Sequence, residues 1–386
     1  MLLVPPLSLY IHIPWCVKKC PYCDFNSHAQ RGGLPVDEYV AALMADLDGD
    51  IDASGDALKG RPLHSIFFGG GTPSLFAPDA IARIIDGVAA RVTLPTDAEV
   101  TLETNPGTVE HGRFDGYRNA GVNRISFGIQ SFDDAKLQRL GRIHSAVEAE
   151  RAVREAQDAG IANINLDLMY ALPEQDEAQA LRDIERAVAL QPMHISHYQL
   201  TLEPNTPFAA SPPPLPDEDS AWNMQESCQQ ALANAGFAQY EVSAYARDGR
   251  QCRHNVNYWE FGDYLGIGAG AHGKLSDARE GTVKRRWKQR LPRAYLAAKG
   301  HAARIGGDEI VEAIDLPYEF MMNALRLNSG LPMAWFSQRS GLSLETIAAP
   351  ITEAHRRGWL ESSDTVLRPT DEGRRLLNNL VSLFLP

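Results

Sequence analysis

Three cysteines lie within eight positions near the start of the chain. Cys16, Cys20 and Cys23 have CxxxCxxC spacing and follow the first apolar run of the sequence. Three thiolates can hold three corners of a cubic iron–sulfur cluster and leave the fourth iron open to another ligand. The spacing differs from that of a zinc ribbon, which pairs two CxxC units. One further ligand would still complete a tetrahedral zinc site, and three nearby side chains could supply it: His12, Asp24 or His28. The cysteines alone therefore favour a cluster and leave zinc as an alternative.

A second set of residues offers polar groups after apolar runs of the sequence. The segment Gly69 to Pro73 reads Gly-Gly-Gly-Thr-Pro; it could be a plain tight turn, or its glycines could let backbone N–H and C=O groups approach a ligand closely. Four further side chains together suit a zwitterionic nucleoside, although each alone is more often solvated: Glu103, Gln130, Arg142 and Asp167. Carboxylates could bind ribose hydroxyls or an ammonium, the guanidinium a carboxylate, and the amide the adenosyl part.

The elements that would position these residues alternate between strand and helix. Short apolar, β-branched runs predict six strands: Leu7 to Ile13, His64 to Gly69, Glu99 to Thr104, Arg124 to Gln130, Asn163 to Tyr170 and His194 to Leu202. Amphipathic helical patterns separate them, and one begins with a capping box at Ser145 and Glu148. Six βα units in series predict an α/β fold with right-handed crossovers and a partial or full (β/α)6 TIM-type barrel. Such folds collect chemistry at the carboxyl ends of their strands, where the polar residues above lie.

Composition divides the chain into three predicted parts. A proline-rich stretch from Glu203 to Asp219 ends the barrel, so residues 1–204 form the core, 205–310 an α/β extension and 311–386 a mostly helical domain. The extension is expected to contain a helix over residues 220–235 and one strand around residues 240–245. The order of elements after residue 311 resembles a winged helix, which raises a DNA-binding interpretation. Residues 311–386 carry nine Asp and Glu against seven Arg and no Lys, so nucleic acid is not expected as a partner.

Overall composition restricts the class of protein. The 386 residues carry a formal net charge of −12, which disfavours a chain that coats nucleic acid or anionic membrane through its overall field. An uncharged apolar stretch of about 18 residues or more is absent from the sequence, so no transmembrane segment is expected. Five cysteines, three of them crowded together, fit a reducing compartment, and Cys228 is expected to be an ordinary buried thiol. These features predict a soluble cytoplasmic protein.

The residues described so far resemble those of the radical S-adenosylmethionine (SAM) superfamily. Tyr22 matches the aromatic residue usual before the third cysteine. In this superfamily the free iron binds the amino and carboxylate groups of SAM, and reduction of the cluster can cleave the adjacent C–S bond to give a 5′-deoxyadenosyl radical. Resemblance to the coproporphyrinogen dehydrogenase branch, which extends over nearly the whole chain including a HemN-type carboxy-terminal domain, implies three cysteine ligands to a [4Fe–4S] cluster. It implies SAM-contacting positions at Tyr10, Gly70, Gly71, Thr72, Glu103, Gln130, Arg142 and Asp167.

Two kinds of protein within this branch imply different functions. The oxygen-independent coproporphyrinogen III dehydrogenases usually have a fourth cysteine two positions after the third, and this chain has Phe25 there. The segment from Asp24 to Ser27 is similar instead to that of the HemW-type heme chaperones, which bind heme and deliver it to hemoproteins such as respiratory enzymes. The resemblance thus implies a carrier of a [4Fe–4S] cluster, SAM and heme, and it is compatible with peripheral membrane contact. Radical oxidative decarboxylation of propionate side chains is the alternative.

A later motif matches the HNxxYW sequence of the chaperone group. His254 could ligate heme iron, Tyr258 and Trp259 could pack on a macrocycle, and Cys252 is another candidate ligand. The alternative is a hydrogen-bonded histidine in a small aromatic core.

Two neighbouring segments have weaker interpretations. Gly268 to Gly273 satisfies GxGxxG but neither follows a clear strand nor opens a clear helix, so a close-packed loop over the barrel mouth is expected rather than a dinucleotide site. The basic run from Lys284 to Arg290 is expected to be a solvated face, with heme propionates or an acidic partner protein as alternative contacts.

Overall fold

Six parallel strands form the centre of the structure, a computed structural model that describes residues 2–30, 32–107 and 112–386. The strands are β1 (Leu7–Ile13), β2 (Leu63–Gly70), β3 (Glu99–Thr104), β4 (Arg124–Gln130), β5 (Asn163–Tyr170) and β6 (His194–Gln199). Each strand pairs in parallel with the next one along the chain. This order confirms the predicted α/β fold with a partial barrel, and the strand bounds agree with the sequence prediction to within three residues.

Helices connect these strands or follow the last of them, and most bury one face in the core that the strands share. They are Val36–Ser54, Pro78–Ala89, Phe114–Asn119, Asp134–Arg139, Ala146–Asp158, Glu177–Ala189, Pro207–Ala210 and Glu218–Asn234, with 3₁₀ turns at Gly55–Ala57 and Pro73–Leu75. The predicted capping box is present: Ser145 Oγ accepts from the Glu148 N–H, and the Glu148 carboxylate accepts from the Ser145 N–H. Within the described residues, no helix combines the length and the apolar character needed to cross a bilayer.

Residues 205–310 add six strands to the two edges of this sheet. They are β7 (Ala238–Glu241), β8 (Ala244–Ala246), β9 (Asp263–Ile267), β10 (His272–Asp277), β11 (Thr282–Lys288) and β12 (Ile305–Ile310). β8 and β7 form an antiparallel hairpin beside β6, whereas β9 runs parallel to β1 and is followed by antiparallel β10, β11 and β12. The barrel is therefore open, with the strand order β12-β11-β10-β9-β1-β2-β3-β4-β5-β6-β8-β7.

Two expectations for this region are wrong. The single strand expected around residues 240–245 is the hairpin of β7 and β8, because a turn divides it. Gly268 to Gly273 does follow a strand, β9, but it leads into β10 instead of opening a helix, so a dinucleotide motif would lack its helix. The expected close packing is present: a Cβ on Gly268 would lie 2.4 Å from the His12 carbonyl oxygen. The remaining helices of the extension are Arg253–Trp259, Pro292–Ala297 and His301–Arg304.

The carboxy-terminal part is mostly helical, as expected, and has its own buried cluster. Its helices are Leu316–Ala324, Ala334–Ser340, Glu345–Arg356, Asp371–Arg375 and Leu377–Ser382, and Leu331–Pro332 pairs antiparallel with Val366–Leu367. Phe320, Phe336 and Leu380 are buried in a cluster that also includes Tyr240 and Phe261 from the extension. Because this cluster joins the second and third parts, the division of the chain at residues 204 and 310 stays a prediction.

A buried charge cluster joins the first helix to β11. Lys288 Nζ lies 2.6 Å from Asp46 Oδ1 and 2.8 Å from Asp50 Oδ2, and all three side chains are at most 3% exposed. Arg286 Nη1 also reaches Asp50, at 3.0 Å. The solvated basic face expected over Lys284 to Arg290 is therefore wrong, because part of this run neutralises buried carboxylates of another element.

We expect Lys288→Met to lower the free energy of unfolding by about 3–5 kcal/mol, because Asp46 and Asp50 would stay buried without their shared cation. Chemical denaturation measures the loss. Lys284→Met, on the same strand, is the matched control: Lys284 pairs with Glu280 at 2.9 Å, with side chains 38% and 57% exposed. Loss of such a surface pair costs at most about 1 kcal/mol. Equal losses in the two variants would contradict the buried-pair interpretation.

Candidate cofactor site

The three cysteines lie on a loop that follows β1 and folds back on itself. Trp15–Cys16 pairs in parallel with His28–Ala29, and the Gln30 N–H donates to the Cys16 carbonyl at 2.8 Å. All three cysteines have free thiols and line one cavity of about 390 Å³. Cys16 is buried, whereas Cys20 and Cys23 are half-buried. The loop thus brings three sulfur donors to a single space at the carboxyl ends of the barrel strands.

The glycine segment at the end of β2 packs against the cysteine loop. The Thr72 N–H donates to the Trp15 carbonyl at 2.7 Å. A Cβ on Gly71 would lie 2.5 Å from the same carbonyl oxygen, and a Cβ on Gly70, where φ is +112°, would lie 2.4 Å from the His12 ring. The glycines therefore allow two parts of the chain to approach each other closely, in addition to lining the cavity.

Two half-buried carboxylates line the cavity from the barrel interior. Glu103 accepts a hydrogen bond from the Gly70 N–H at 3.2 Å. Burial, and then the neighbouring charge of Asp167, raises the pKa of Glu103 to about 8. Asp167 accepts from Ser126 Oγ at 3.0 Å and Asn165 Nδ2 at 2.8 Å, and burial raises the pKa of this carboxyl as well. At neutral pH the Glu103 carboxyl is thus protonated and can donate as well as accept a hydrogen bond.

Arg142 brings a positive charge to the cysteine loop. Its Nη1 donates to Cys20 Sγ at 3.6 Å and its Nη2 to Asn105 Oδ1 at 2.6 Å. Its Nε is buried and has no hydrogen-bond partner among the described residues. Arg142 thus places a positive charge and a hydrogen-bond donor beside a sulfur that could bind a metal.

Gln130 ends β4 in the left-handed region, with φ of +73°, which is uncommon for a residue that has a Cβ. Its Oε1 accepts from the Tyr198 hydroxyl at 2.8 Å. Tyr198 also lines the cavity, and the sequence analysis did not identify it. The signal that could have done so is alternation, since side chains two residues apart share one face of a strand. Polar residues occur at such positions in three strands: Ser126 and Gln130 in β4, Asn165 and Asp167 in β5, Ser196 and Tyr198 in β6.

All of the predicted SAM-contacting residues except Tyr10 line the cavity that the cysteines line. The Tyr10 hydroxyl donates to His12 Nδ1 at 3.0 Å, and His12 Nε2 donates to the Asn26 carbonyl at 2.9 Å. Burial lowers the pKa of His12 to about 4. Because both ring nitrogens of His12 have partners, this side chain has no free ligand atom for the zinc site considered above.

The HNxxYW segment lies at the opposite ends of the barrel strands. The helix Arg253–Trp259 contacts Ser65 near the start of β2 and Glu99 at the start of β3. His254 is buried, with Nδ1 2.8 Å from Ser65 Oγ and Nε2 2.8 Å from the Tyr258 hydroxyl. Burial lowers the pKa of His254 to about 3. The structure therefore shows a hydrogen-bonded histidine against aromatic rings and no free ring nitrogen for iron.

The other candidate heme contacts of this segment have partners too. Cys252 Sγ lies 3.5 Å from Glu99 Oε1, and burial raises the pKa of Cys252 to about 12, so the thiol is neutral. The Arg326 guanidinium lies over the Trp259 ring, 4.2 Å from its centroid. The structure does not bring this segment to the cysteine cavity, and heme contact by His254, Tyr258 and Trp259 stays a prediction.

Two family models match the chain, one in the barrel and one in the carboxy-terminal part. Residues 10–187 match the model of the radical SAM superfamily, and residues 311–376 match that of the HemN C-terminal domain. The heme chaperone HemW of Escherichia coli (strain K12) is 49% identical over 385 residues, which cover 100% of this chain and 100% of its own. The chain belongs to the HemW family.

Two further matches extend the HemW comparison. The mitochondrial radical S-adenosyl methionine domain-containing protein 1 of Mus musculus is 36% identical over 98% of this chain and 87% of its own. The solved structure of coproporphyrinogen III oxidase (HemN) from Escherichia coli superimposes with a TM-score of 0.83 at 22% identity, over 99% of this chain and 90% of that chain. The second match shows a common fold.

Membership in the radical SAM superfamily implies a [4Fe–4S] cluster and SAM. The residues around the cavity fit both groups. Three free thiols supply the sulfur donors, and Gly70, Gly71 and Thr72 line the same cavity. The buried, unpartnered Nε of Arg142 and the carboxyls of Glu103 and Asp167 supply polar groups of the kinds that a zwitterionic nucleoside requires.

We expect Gly71→Ala to displace the cysteine loop, because its Cβ would lie 2.5 Å from the Trp15 carbonyl oxygen. The overlap should cost about 1–3 kcal/mol of stability and reduce the iron and sulfide retained after anaerobic reconstitution. Gly33→Ala is the matched control, since a Cβ there would have no atom within 4 Å. Normal iron content and stability in Gly71→Ala would show that the loop does not depend on this contact.

Glu103→Gln should make stability less dependent on pH. The folded pKa of about 8 lies above the ordinary value of 4.5, so the native state holds an extra proton between these values and loses stability as the pH rises through them. Glutamine does not ionise. The difference in free energy of unfolding between the variant and the parent protein should therefore shift in favour of the variant by about 2–4 kcal/mol from about pH 5 to about pH 8. Urea unfolding at the two pH values measures it. The same stability difference at the two pH values would contradict the raised pKa of Glu103. An equal shift in Glu185→Gln, where the side chain is exposed, would contradict it too.

Proposed function

We propose that this chain is a heme chaperone, which binds heme and delivers it to hemoproteins such as respiratory enzymes. The observation that carries the proposal is 49% identity with a heme chaperone over the full length of both chains. Respiratory recipients in a membrane would be reached by peripheral contact with its surface.

The proposed cluster ligands are Cys16, Cys20 and Cys23, which line one cavity. A [4Fe–4S] cluster held by these three thiolates would leave one iron open to a further ligand and could supply an electron to bound SAM. Arg142, whose Nη1 is 3.6 Å from Cys20 Sγ, would donate a hydrogen bond to the ligand sulfur. Its unpartnered Nε is a further donor that a carboxylate of SAM could use.

The remaining cavity residues are proposed to orient SAM. Asp167 is a hydrogen-bond acceptor for ribose hydroxyls, and Glu103, protonated at neutral pH, can both donate and accept. The other proposed contacts are Gly70, Gly71, Thr72 and Gln130. Tyr10 is proposed to act indirectly, since its hydroxyl holds His12 beside the glycine segment instead of lining the cavity.

An exposed aromatic side chain at the cavity favours the chaperone over a decarboxylating enzyme. Phe25 lines the cavity and is 61% exposed, and its carbonyl accepts from Lys19 Nζ at 2.8 Å. The dehydrogenases described above usually have a cysteine at this position. A phenyl ring cannot ligate iron or exchange a proton, so the group that sets those enzymes apart is missing here.

Anaerobic purification and cluster reconstitution, followed by separate addition of heme and coproporphyrinogen III, test the proposal. We expect stoichiometric heme uptake, seen by absorption, and transfer to an apo-hemoprotein. With coproporphyrinogen III, SAM and a reductant, we expect no vinyl groups in the product. Iron and sulfide analysis of the same sample distinguishes a cluster from zinc, and replacement of the three cysteines by serine is the cluster-free control.

Either of two results would contradict the chaperone. SAM-dependent decarboxylation of coproporphyrinogen III would support the redox enzyme instead. Absence of heme uptake by the reconstituted protein would leave the chain without the cargo that the proposal requires.

A further inference from the structure

His144 lies beside the cysteine loop and has one ring nitrogen without a partner. The residue precedes the capping box of the helix Ala146–Asp158 and is only 4% exposed. Its Nε2 lies 3.2 Å from the Ile129 carbonyl oxygen, and a carbonyl can only accept, so the proton is on Nε2. The lone pair is therefore on Nδ1, which is buried and has no hydrogen-bond partner among the described residues.

This bonding pattern is the one that metal-binding histidines have in proteins. Such a histidine donates its other ring N–H to a backbone carbonyl or carboxylate, which fixes the tautomer and the ring orientation. Burial, and then the positive charge of Arg142, lowers the pKa of His144 to about 4. The imidazole is thus neutral at physiological pH and its lone pair is available to a metal.

A second, smaller cavity of about 110 Å³ is next to His144. Val17, Lys18 and Ile143 line it too, and five residues line both this cavity and the larger one: Lys18, Cys20, Thr72, Asn105 and Arg142. Val17 is 47% exposed and Ile143 is 58% exposed, so both offer apolar surface beside the cavity. Lys18 is exposed and has no ion pair among the described residues.

We propose that this smaller cavity is where the heme cargo docks, with His144 Nδ1 as the iron ligand; the inference rests on the proposed chaperone function. Val17 and Ile143 contact the macrocycle, and Lys18 pairs with a propionate. The cavity is smaller than a heme, so the macrocycle lies across its rim. Because Nδ1 is buried, ligation requires the side chains around it to move.

Two other buried histidines fit this role less well. Both ring nitrogens of His254 have hydrogen-bond partners at 2.8 Å. His197 is as buried as His144 and has an unpartnered Nδ1, but it lines neither cavity and stacks on Tyr170, with ring centroids 4.7 Å apart. Only His144 among these three combines a free lone pair with apolar and cationic neighbours at a cavity.

The test uses the full chain with its cluster reconstituted, and hemin is the probe. His144→Gln retains a donor for the Ile129 carbonyl but removes the imidazole, and His197→Gln is the matched control. We expect His144→Gln to lose the imidazole–iron signature in resonance Raman and EPR spectra and to bind hemin about tenfold more weakly or worse, with normal iron and sulfide content. His197→Gln should resemble the parent protein. Added imidazole should restore the signature in His144→Gly.

The outcomes separate the location of heme from the function of the chain. Loss of the signature in His254→Gln and its survival in His144→Gln would overturn this site but leave the chaperone intact, as would survival in both variants. Failure of the parent protein to bind hemin would overturn the chaperone function itself. If His144→Gln does not fold, Ile143→Asp and Lys18→Glu decide, because both side chains are exposed. Unchanged hemin affinity in both would overturn the site.

Discussion

The contact between the cysteine loop and the glycine end of β2 is the constraint on which the cavity depends. The Trp15 carbonyl oxygen accepts from the Thr72 N–H and lies 2.5 Å from where a Cβ of residue 71 would be. Thr72 Oγ1 accepts from Asn105 Nδ2 at 2.7 Å, and Asn105 in turn accepts from Arg142, which donates to Cys20. This chain of bonds fixes the thiols relative to the ends of three neighbouring strands, because each link comes from a different βα unit.

The two ends of the barrel have different physical roles. At the amino ends of the strands, the Glu99 carboxylate accepts the N–H groups of Arg253 and His254, which are the first two residues of a helix. Such N–H groups have no partner within their own helix, so a buried carboxylate satisfies them well. His254 and Asn257 then bond Ser65 and Ser8 on the neighbouring strands. In this structure the HNxxYW residues cover the amino ends of the barrel strands, and the carboxyl ends are left for ligands.

Sequence alone predicted the six barrel strands and the rim on which polar residues gather, because both follow from alternation and from the direction of parallel strands. It did not predict which partner each polar group finds. The sequence places Lys288 in a basic run that is typical of a surface, yet its side chain pairs with Asp46, 242 residues away. Tyr10 lies on the strand that pairs with β2, whose end lines the cavity, but its hydroxyl donates to His12. Such pairings depend on tertiary packing, which short-range patterns do not contain.

The two proposed sites share Arg142, which gives the cofactor a role that requires no radical chemistry. Arg142 donates to Cys20 on one side and is two residues from His144 on the other. Gly141 also touches the cysteine loop, since a Cβ there would lie 2.8 Å from Pro21. A cluster bound to Cys20 would hold this loop in one position and reduce the conformational freedom of the segment that bears the proposed heme ligand. Binding of the two groups would then be coupled through order alone, and the coupling would be reciprocal.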